Sequence, residues 1–203
     1  MKQESSIHKT KKTHNTRSFR YKAGVIMKAI LTIRDIFLLK IYKHTPLNPK
    51  QNSVEDILNY MEIKDNLSSS GQPTDLQFSI IQKAGYTTVI NLTTNDFVES
   101  SPKNEAELVT KLGMKYHHIP VDFYNPDWEG FDLFVNTMKG LSGEKVWVHC
   151  LVNARASSFI YKYRVTMLGE DRQDALWDLR EIWEPFGPWK HFVYDDGPTA
   201  LEN

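Results

Sequence analysis

A three-layer α/β fold, with a central and mostly parallel sheet flanked by helices, is the architecture this sequence predicts. Short β-branched or apolar runs recur at TTVINL (87–92) and KVWVH (145–149), and segments with apolar residues at helical spacing and capping signals lie between them. With 203 residues and 40% apolar content the chain can bury one ordinary domain core. Strands alternating with helices imply right-handed crossovers and a sheet covered on both faces.

The front of the chain has a different texture. Residues 1–50 hold 12 Lys/Arg against 2 Asp/Glu, and the remainder holds 13 against 23, so a zero formal charge hides +10 ahead of −10. Residues 1–22 are polar, basic and aperiodic, and are expected to be a disordered tail. Residues 23–52 are expected to be an apolar and basic helix or linker, and 53–203 the globular domain. Within that linker, Gly24 to Tyr42 is interrupted by Lys28, Arg34, Asp35 and Lys40. Each charge costs about 3 kcal/mol at a bilayer centre, which argues against a spanning helix. An amphipathic helix packed on the domain, a peripheral membrane anchor (residues 24–42) and the remnant of a targeting segment all stay open. Met27 is also a plausible alternative start.

One cysteine permits no intramolecular disulfide and no multi-cysteine metal site, which points to an intracellular, cytoplasmic chain. Seven histidines occur without an HExxH spacing, so no metal and no cofactor are expected. The basic arm lacks aromatic interleaving, which argues against a nucleic-acid partner.

Taken in order, Asp65-Asn66 between two short extended runs predicts a hairpin. Thr74 and Gln77 form a capping-box pattern that opens a helix from Asp75 to Ala84, with Gly85 as its stop. Residues 87–92 predict a buried strand, with Asn91 and Asn95 near its end as pocket-rim, loop or cap residues. Ser101 before Pro102 predicts a helix start, with Ala106, Val109 and Leu112 inward and Gly113 as its stop. KYHHIPV (115–121) predicts a strand with one of His117 and His118 in and the other out. Phe131, Phe134, Val135 and Met138 predict a helix on the sheet. A helix from Ala156 to Leu168 follows strand 145–149. Asp171 opens another, with Ala175, Leu176, Leu179, Ile182 and Trp183 inward, broken by Glu184-Pro185 and Gly187-Pro188. Trp177, Trp183 and Trp189 read as core or lid-packing aromatics.

Chemistry concentrates in VWVHCLVNARASSF. The only cysteine, Cys150, stands where a strand ends, and Arg155 returns as a helix begins. A tight loop feeding a helix N-terminus points backbone N–H groups at one spot and favours an anion there. The same field favours the thiolate that a nucleophile must be. Arg155 adds a planar fork able to hold two oxyanion oxygens.

These residues resemble the protein tyrosine and dual-specificity phosphatase superfamily over about residues 58–193. The closest likeness is to a bacterial phosphatase-like subgroup, through Gly71-Gln72-Pro73-Thr74, Val89 to Leu92, Tyr116 to Val121, and His149-Cys150 with Asn153, Arg155 and Ser157. The resemblance implies a dual-specificity-phosphatase-like fold acting on a phosphorylated protein or small phosphomonoester. It implies that Cys150 attacks phosphorus, and that Arg155 with the amides of Leu151, Val152, Asn153 and Ala154 holds the phosphoryl oxygens. Ser157 would stabilise the departing thiolate, and His149 would be a supporting hydrogen-bonder. The general acid would be Asp122, at the strand end, with Asp127 as the alternative and equally suited to cap a helix. The superfamily's usual loop has five residues between Cys and Arg, and this chain has four, the number found in many rhodanese-like loops. A silent phosphate-binding pseudophosphatase, or sulfur transfer through a persulfide on Cys150, are therefore the alternative functions.

Overall fold

The computed structural model describes residues 52–94 and 104–195. The basic tail, the 24–42 stretch, Asn95 and the Ser101-Pro102 helix start lie outside the described residues.

After a 3-10 turn at Val54–Asp56, the strands are β1 (Met61–Lys64), β2 (Leu67–Ser70), β3 (Thr88–Asn91), β4 (Lys115–His118) and β5 (Val146–His149). The helices are α1 (Asp75–Lys83), α2 (Glu105–Lys111), α3 (Trp128–Gly140), α4 (Ala154–Thr166), α5 (Arg172–Ile182) and α6 (Pro188–Tyr194). The sheet order is β1-β2-β5-β3-β4. Only β1 is antiparallel, joined to β2 by the Asp65-Asn66 turn, and the other neighbours pair in parallel. The expected α/β class and mostly parallel sheet are therefore present.

Local signals account for the boundaries. Thr74 Oγ1 accepts from Gln77 N at 3.3 Å, and Gln77 Oε1 accepts from Thr74 N at 2.9 Å, a reciprocal cap that starts α1. Asp171 Oδ1 accepts from Gln173 N and Asp174 N and starts α5. Pro185 and Pro188 separate α5 from α6 because neither can donate to a continuing helix.

The inner strands feed two cores, because successive side chains leave a strand on opposite sides. Val89 and Trp147 join Phe78 and Ile81 of α1 and Val109 of α2 on one face. Ile90, Val146 and Val148 join Phe131, Phe134, Phe159, Leu179 and Trp189 from α3 to α6 on the other. Along β5 this alternation has a decisive result. His149 falls on the α1/α2 side, where the edge of Phe78 meets its ring at 5.8 Å, while Cys150 joins the aromatic core of the opposite side.

Four details differ from the sequence-based expectations. Helix α4 begins at Ala154, two residues early, which brings Arg155 into its first turn. Strand β4 closes at His118, before the expected end at Val121, with His117 turned inward on a buried Nε2 and His118 exposed, the one-in, one-out arrangement expected of the pair. In α2 the buried residues are Glu105 and Val109, whereas Ala106 is exposed, because Glu105 has polar partners inside. Trp177 is 62% exposed, not a core residue, since α5 turns Ala175, Leu176, Leu179 and Ile182 inward and leaves position 177 on the far side. Trp183 and Trp189 are buried as expected.

Candidate active site

The site forms at the carboxyl end of β5, the central strand, where ligands bind in open parallel sheets. Cys150 follows directly, its N–H donating to Ser70 O at 3.3 Å. Residues 151–153 turn the chain, and α4 starts at Ala154.

That turn is held from outside through its carbonyls. Leu151 O accepts from Gln72 N at 3.0 Å, Val152 O from Asn59 Nδ2 at 3.0 Å, and Asn153 O from Ser157 Oγ at 2.6 Å. Tying three successive carbonyls to donors of the scaffold fixes the path of the peptide units. Gly71 sits against this turn so closely that a Cβ would lie 3.0 Å from Leu151 O and 2.9 Å from Leu58 Cδ2, which explains the glycine of the GQPT segment.

Asn153 makes the short loop possible. Its φ is +70°, a left-handed conformation that Asn tolerates better than other side-chain-bearing residues. Its amide nitrogen donates to Asn59 O at 2.7 Å and to Ser69 Oγ at 3.0 Å. Asn153→Ala is expected to cost about 2–4 kcal/mol, from left-handed strain of about 1–2 and loss of two buried hydrogen bonds. Asn153→Gly should recover the backbone part and only that part. Urea unfolding of the three proteins checks this order.

Arg155 is 2% exposed, and its Nη1 donates to Val121 O at 2.8 Å. This bond brings the end of the segment after β4 to the loop. Asp122 comes next, exposed, with its Oδ1 accepting from Tyr124 N at 2.8 Å. Phe123 O accepts from Trp189 Nε1 at 2.7 Å, which pins the same segment to α6. Asp127 is the N-cap of α3, with its Oδ1 accepting from Gly130 N at 2.6 Å. Of the two acid candidates, Asp122 is therefore the neighbour of the Arg155 contact, and Asp127 is engaged in starting a helix. Ser157 directs its hydroxyl to the carbonyls of Asn153 and Ala154.

Behind Cys150 lies a buried polar cluster. His149 Nε2 meets Glu105 Oε1 at 2.9 Å, and both residues are at most 5% exposed. Glu105 also accepts from Asn91 Nδ2 at 2.8 Å and from Gln72 Nε2 at 2.7 Å. Burial pushes the Glu105 carboxyl up, but the charge and hydrogen bond of His149, with the bonds from Gln72 and Tyr116, outweigh it and hold the carboxyl below its usual range. Sequence patterns do not reveal Glu105 as a site residue. Its only local mark, an acidic residue in a first helical turn, also fits an exposed dipole partner. Asn91 belongs to this cluster through Nδ2, and its Oδ1 accepts from Thr93 N at 2.7 Å, the loop role among those expected for it.

Among the described residues, no group of three or more His, Cys, Asp or Glu is placed to hold a metal ion, and no helix is long and apolar enough to cross a membrane.

No protein-family model matches the chain. Two curated "Beta-lactamase hydrolase-like" proteins from Xylella fastidiosa strains are 30% identical over 101 residues, and the match spans only 22% of their length. A crystal structure of a "Putative phosphatase (DUF442)" from Shewanella putrefaciens CN-32 is 32% identical with a TM-score of 0.62, covering 69% of this chain and 91% of that one. The Tk-PTP structure in its active form shares the fold at 16% identity, covering 68% of this chain and 95% of that one with a TM-score of 0.58. So does the catalytic core of the PP-IP phosphatase SIW14 from S. cerevisiae, at 14% identity over 70% of this chain and 88% of that one, with a TM-score of 0.56. The chain belongs to the DUF442 family of phosphatase-like proteins.

Proposed function

We propose that this protein hydrolyses phosphomonoesters through a cysteinyl-phosphate on Cys150. The observation that carries the reading is the placement of Cys150 and Arg155 at the two ends of one loop whose carbonyls are tied to the scaffold. Loop and helix-start amides that are not spent on the scaffold favour an anion in the turn.

In the first step the Cys150 thiolate attacks phosphorus and the bond from phosphorus to the leaving oxygen breaks. Asp122, as the acid, gives its proton to that oxygen. Arg155 and the amides of Leu151, Val152, Asn153, Ala154 and Arg155 hold the three phosphoryl oxygens as charge develops on them. In the second step water attacks phosphorus, Asp122 takes the water proton, and the S–P bond breaks to return the thiolate and free phosphate. Ser157, bonded to Asn153 O, would act by holding the loop's shape during that return.

The test is hydrolysis of a small aryl phosphate by the full chain under reducing conditions, with acid-quenched protein analysed for phosphate on Cys150. Turnover with a trapped phosphocysteine supports the reading. A folded, reduced protein that neither turns over nor traps phosphate overturns it, and transfer of sulfur from thiosulfate to Cys150 would favour the persulfide alternative.

The acid assignment has its own test. Asp122→Asn should slow an alkyl phosphate by about a hundredfold or more and an activated aryl phosphate much less, because a good leaving group needs little protonation. Asp127→Asn should leave that ratio unchanged and cost at most about 1 kcal/mol of stability through a weakened cap. The reverse pattern would move the acid to Asp127.

A further inference from the structure

The buried cluster on the far face of the sheet is not used by the proposed chemistry, yet it ends on the residue bonded to the nucleophile. An ionised carboxylate only accepts, so the 2.9 Å contact to Glu105 requires the hydrogen of His149 to sit on Nε2. That leaves Nδ1, which is buried without a hydrogen-bond partner, as the ring's open position. The bonds from Gln72 and Asn91 occupy Glu105 from two other elements and hold it against the ring. The edge of Phe78 limits the ring from α1.

We propose that Glu105 is the positioning residue of the Cys150 nucleophile: its carboxylate fixes the tautomer and orientation of His149 and supplies the counter-charge for a proton at Nδ1, and so sets the pH at which Cys150 becomes reactive. The inference deepens the phosphatase reading and rests on it for its functional meaning. The remaining groups around the pair keep one charge state while it titrates. Gln72 and Asn91 are neutral, and the α1 contact to the ring is the apolar Phe78. Tyr116 on β4, pushed up by burial and by the Glu105 charge, keeps its proton through the working range. Arg155, on the Cys150 side of the sheet, carries a constant charge.

The experiment is alkylation of Cys150 by iodoacetamide as a function of pH, which needs no turnover and reads the thiolate directly. In wild type the rate should rise through a midpoint. In Glu105→Gln that midpoint should move up by about one pH unit, making alkylation about tenfold slower below it. Glu105→Asp should restore part of the shift. A purely structural role would lower stability or change the rate equally at every pH with the midpoint unmoved, and that result overturns the proposal. Nitrogen NMR of His149 in the unaltered protein gives a second measurement independent of mutant folding. A hydrogen on Nε2 is expected, and a ring carrying its only hydrogen on Nδ1 overturns the proposal. If aryl phosphate hydrolysis is absent while the midpoint still shifts, the phosphatase reading fails and the positioning role stands.

Discussion

Cys150→Ser is expected to lower aryl phosphate hydrolysis by about four orders of magnitude or more while inorganic phosphate still binds to the folded protein. The loss follows from chemistry: a serine hydroxyl is scarcely ionised where a thiol can be. Retained binding follows from geometry. The proposed phosphate contacts come from Arg155 and from backbone, and the backbone path is fixed by Gln72, Asn59 and Ser157, none of which touches the sulfur in the bonds described. Cys150 is 1% exposed beside an apolar core, so the hydroxyl adds a stability cost of about 1–2 kcal/mol unless it finds a partner. Steady-state rates, phosphate titration and thermal unfolding separate these effects. A serine variant with substantial turnover would remove Cys150 from the mechanism, and one that folds but binds no phosphate would mean that the sulfur itself is part of the anion site.

The second large effect is expected at Arg155. Arg155→Lys keeps a positive charge but loses the planar fork, and kcat/KM should fall by about a hundred- to a thousandfold, the usual consequence of removing a transition-state oxyanion donor. The wild-type guanidinium donates to Val121 O through Nη1, and its planar fork carries five N–H groups where an ammonium carries three. A lysine ammonium that takes the Val121 contact draws away from the phosphoryl group, and one that reaches the phosphoryl group abandons the segment carrying Asp122. The loss should therefore appear in kcat as well as KM, and stability should fall by about 1–2 kcal/mol from the altered buried hydrogen bonding. A change confined to KM would mean that Arg155 acts only in ground-state binding.

What the sequence revealed was governed by distance along the chain. The Asp65-Asn66 turn, the Thr74/Gln77 cap, the β5 strand and the return of Arg155 at a helix start are written in neighbouring residues, and each is found in the structure. Belonging to the phosphatase-like group was legible through the same local segments. The contacts that build the site's support are long-range: Asn59 to Val152 spans 93 positions, Glu105 to His149 spans 44, and Arg155 to Val121 spans 34. No periodicity reports such pairs. At Ala106 the phase expected for a short helix is off by one residue, which rotates a side chain by about 100° and exchanges a buried carboxylate for an exposed methyl. Trp177 departs from expectation for a different reason, since the inward stripe of α5 is legible and size alone suggests burial for a residue adjacent to it.

The central position of β5 also determines which parts of the molecule can yield. A strand bonded on both edges and packed on both faces opens only with the whole domain, so Cys150 is fastened to the last element to release its amides to solvent exchange. The segment carrying Asp122 has the opposite character, with Asp122 exposed between the anchors at Val121 and Phe123 and Tyr124 and Asn125 exposed after them. Cys150 and Asp122, the proposed nucleophile and acid, are thus expected to sit at opposite ends of the domain's range of local stability. Substitutions in the segment after β4 can retune how leaving groups are met without disturbing the thiol, a separation that lets one scaffold change substrates in small steps.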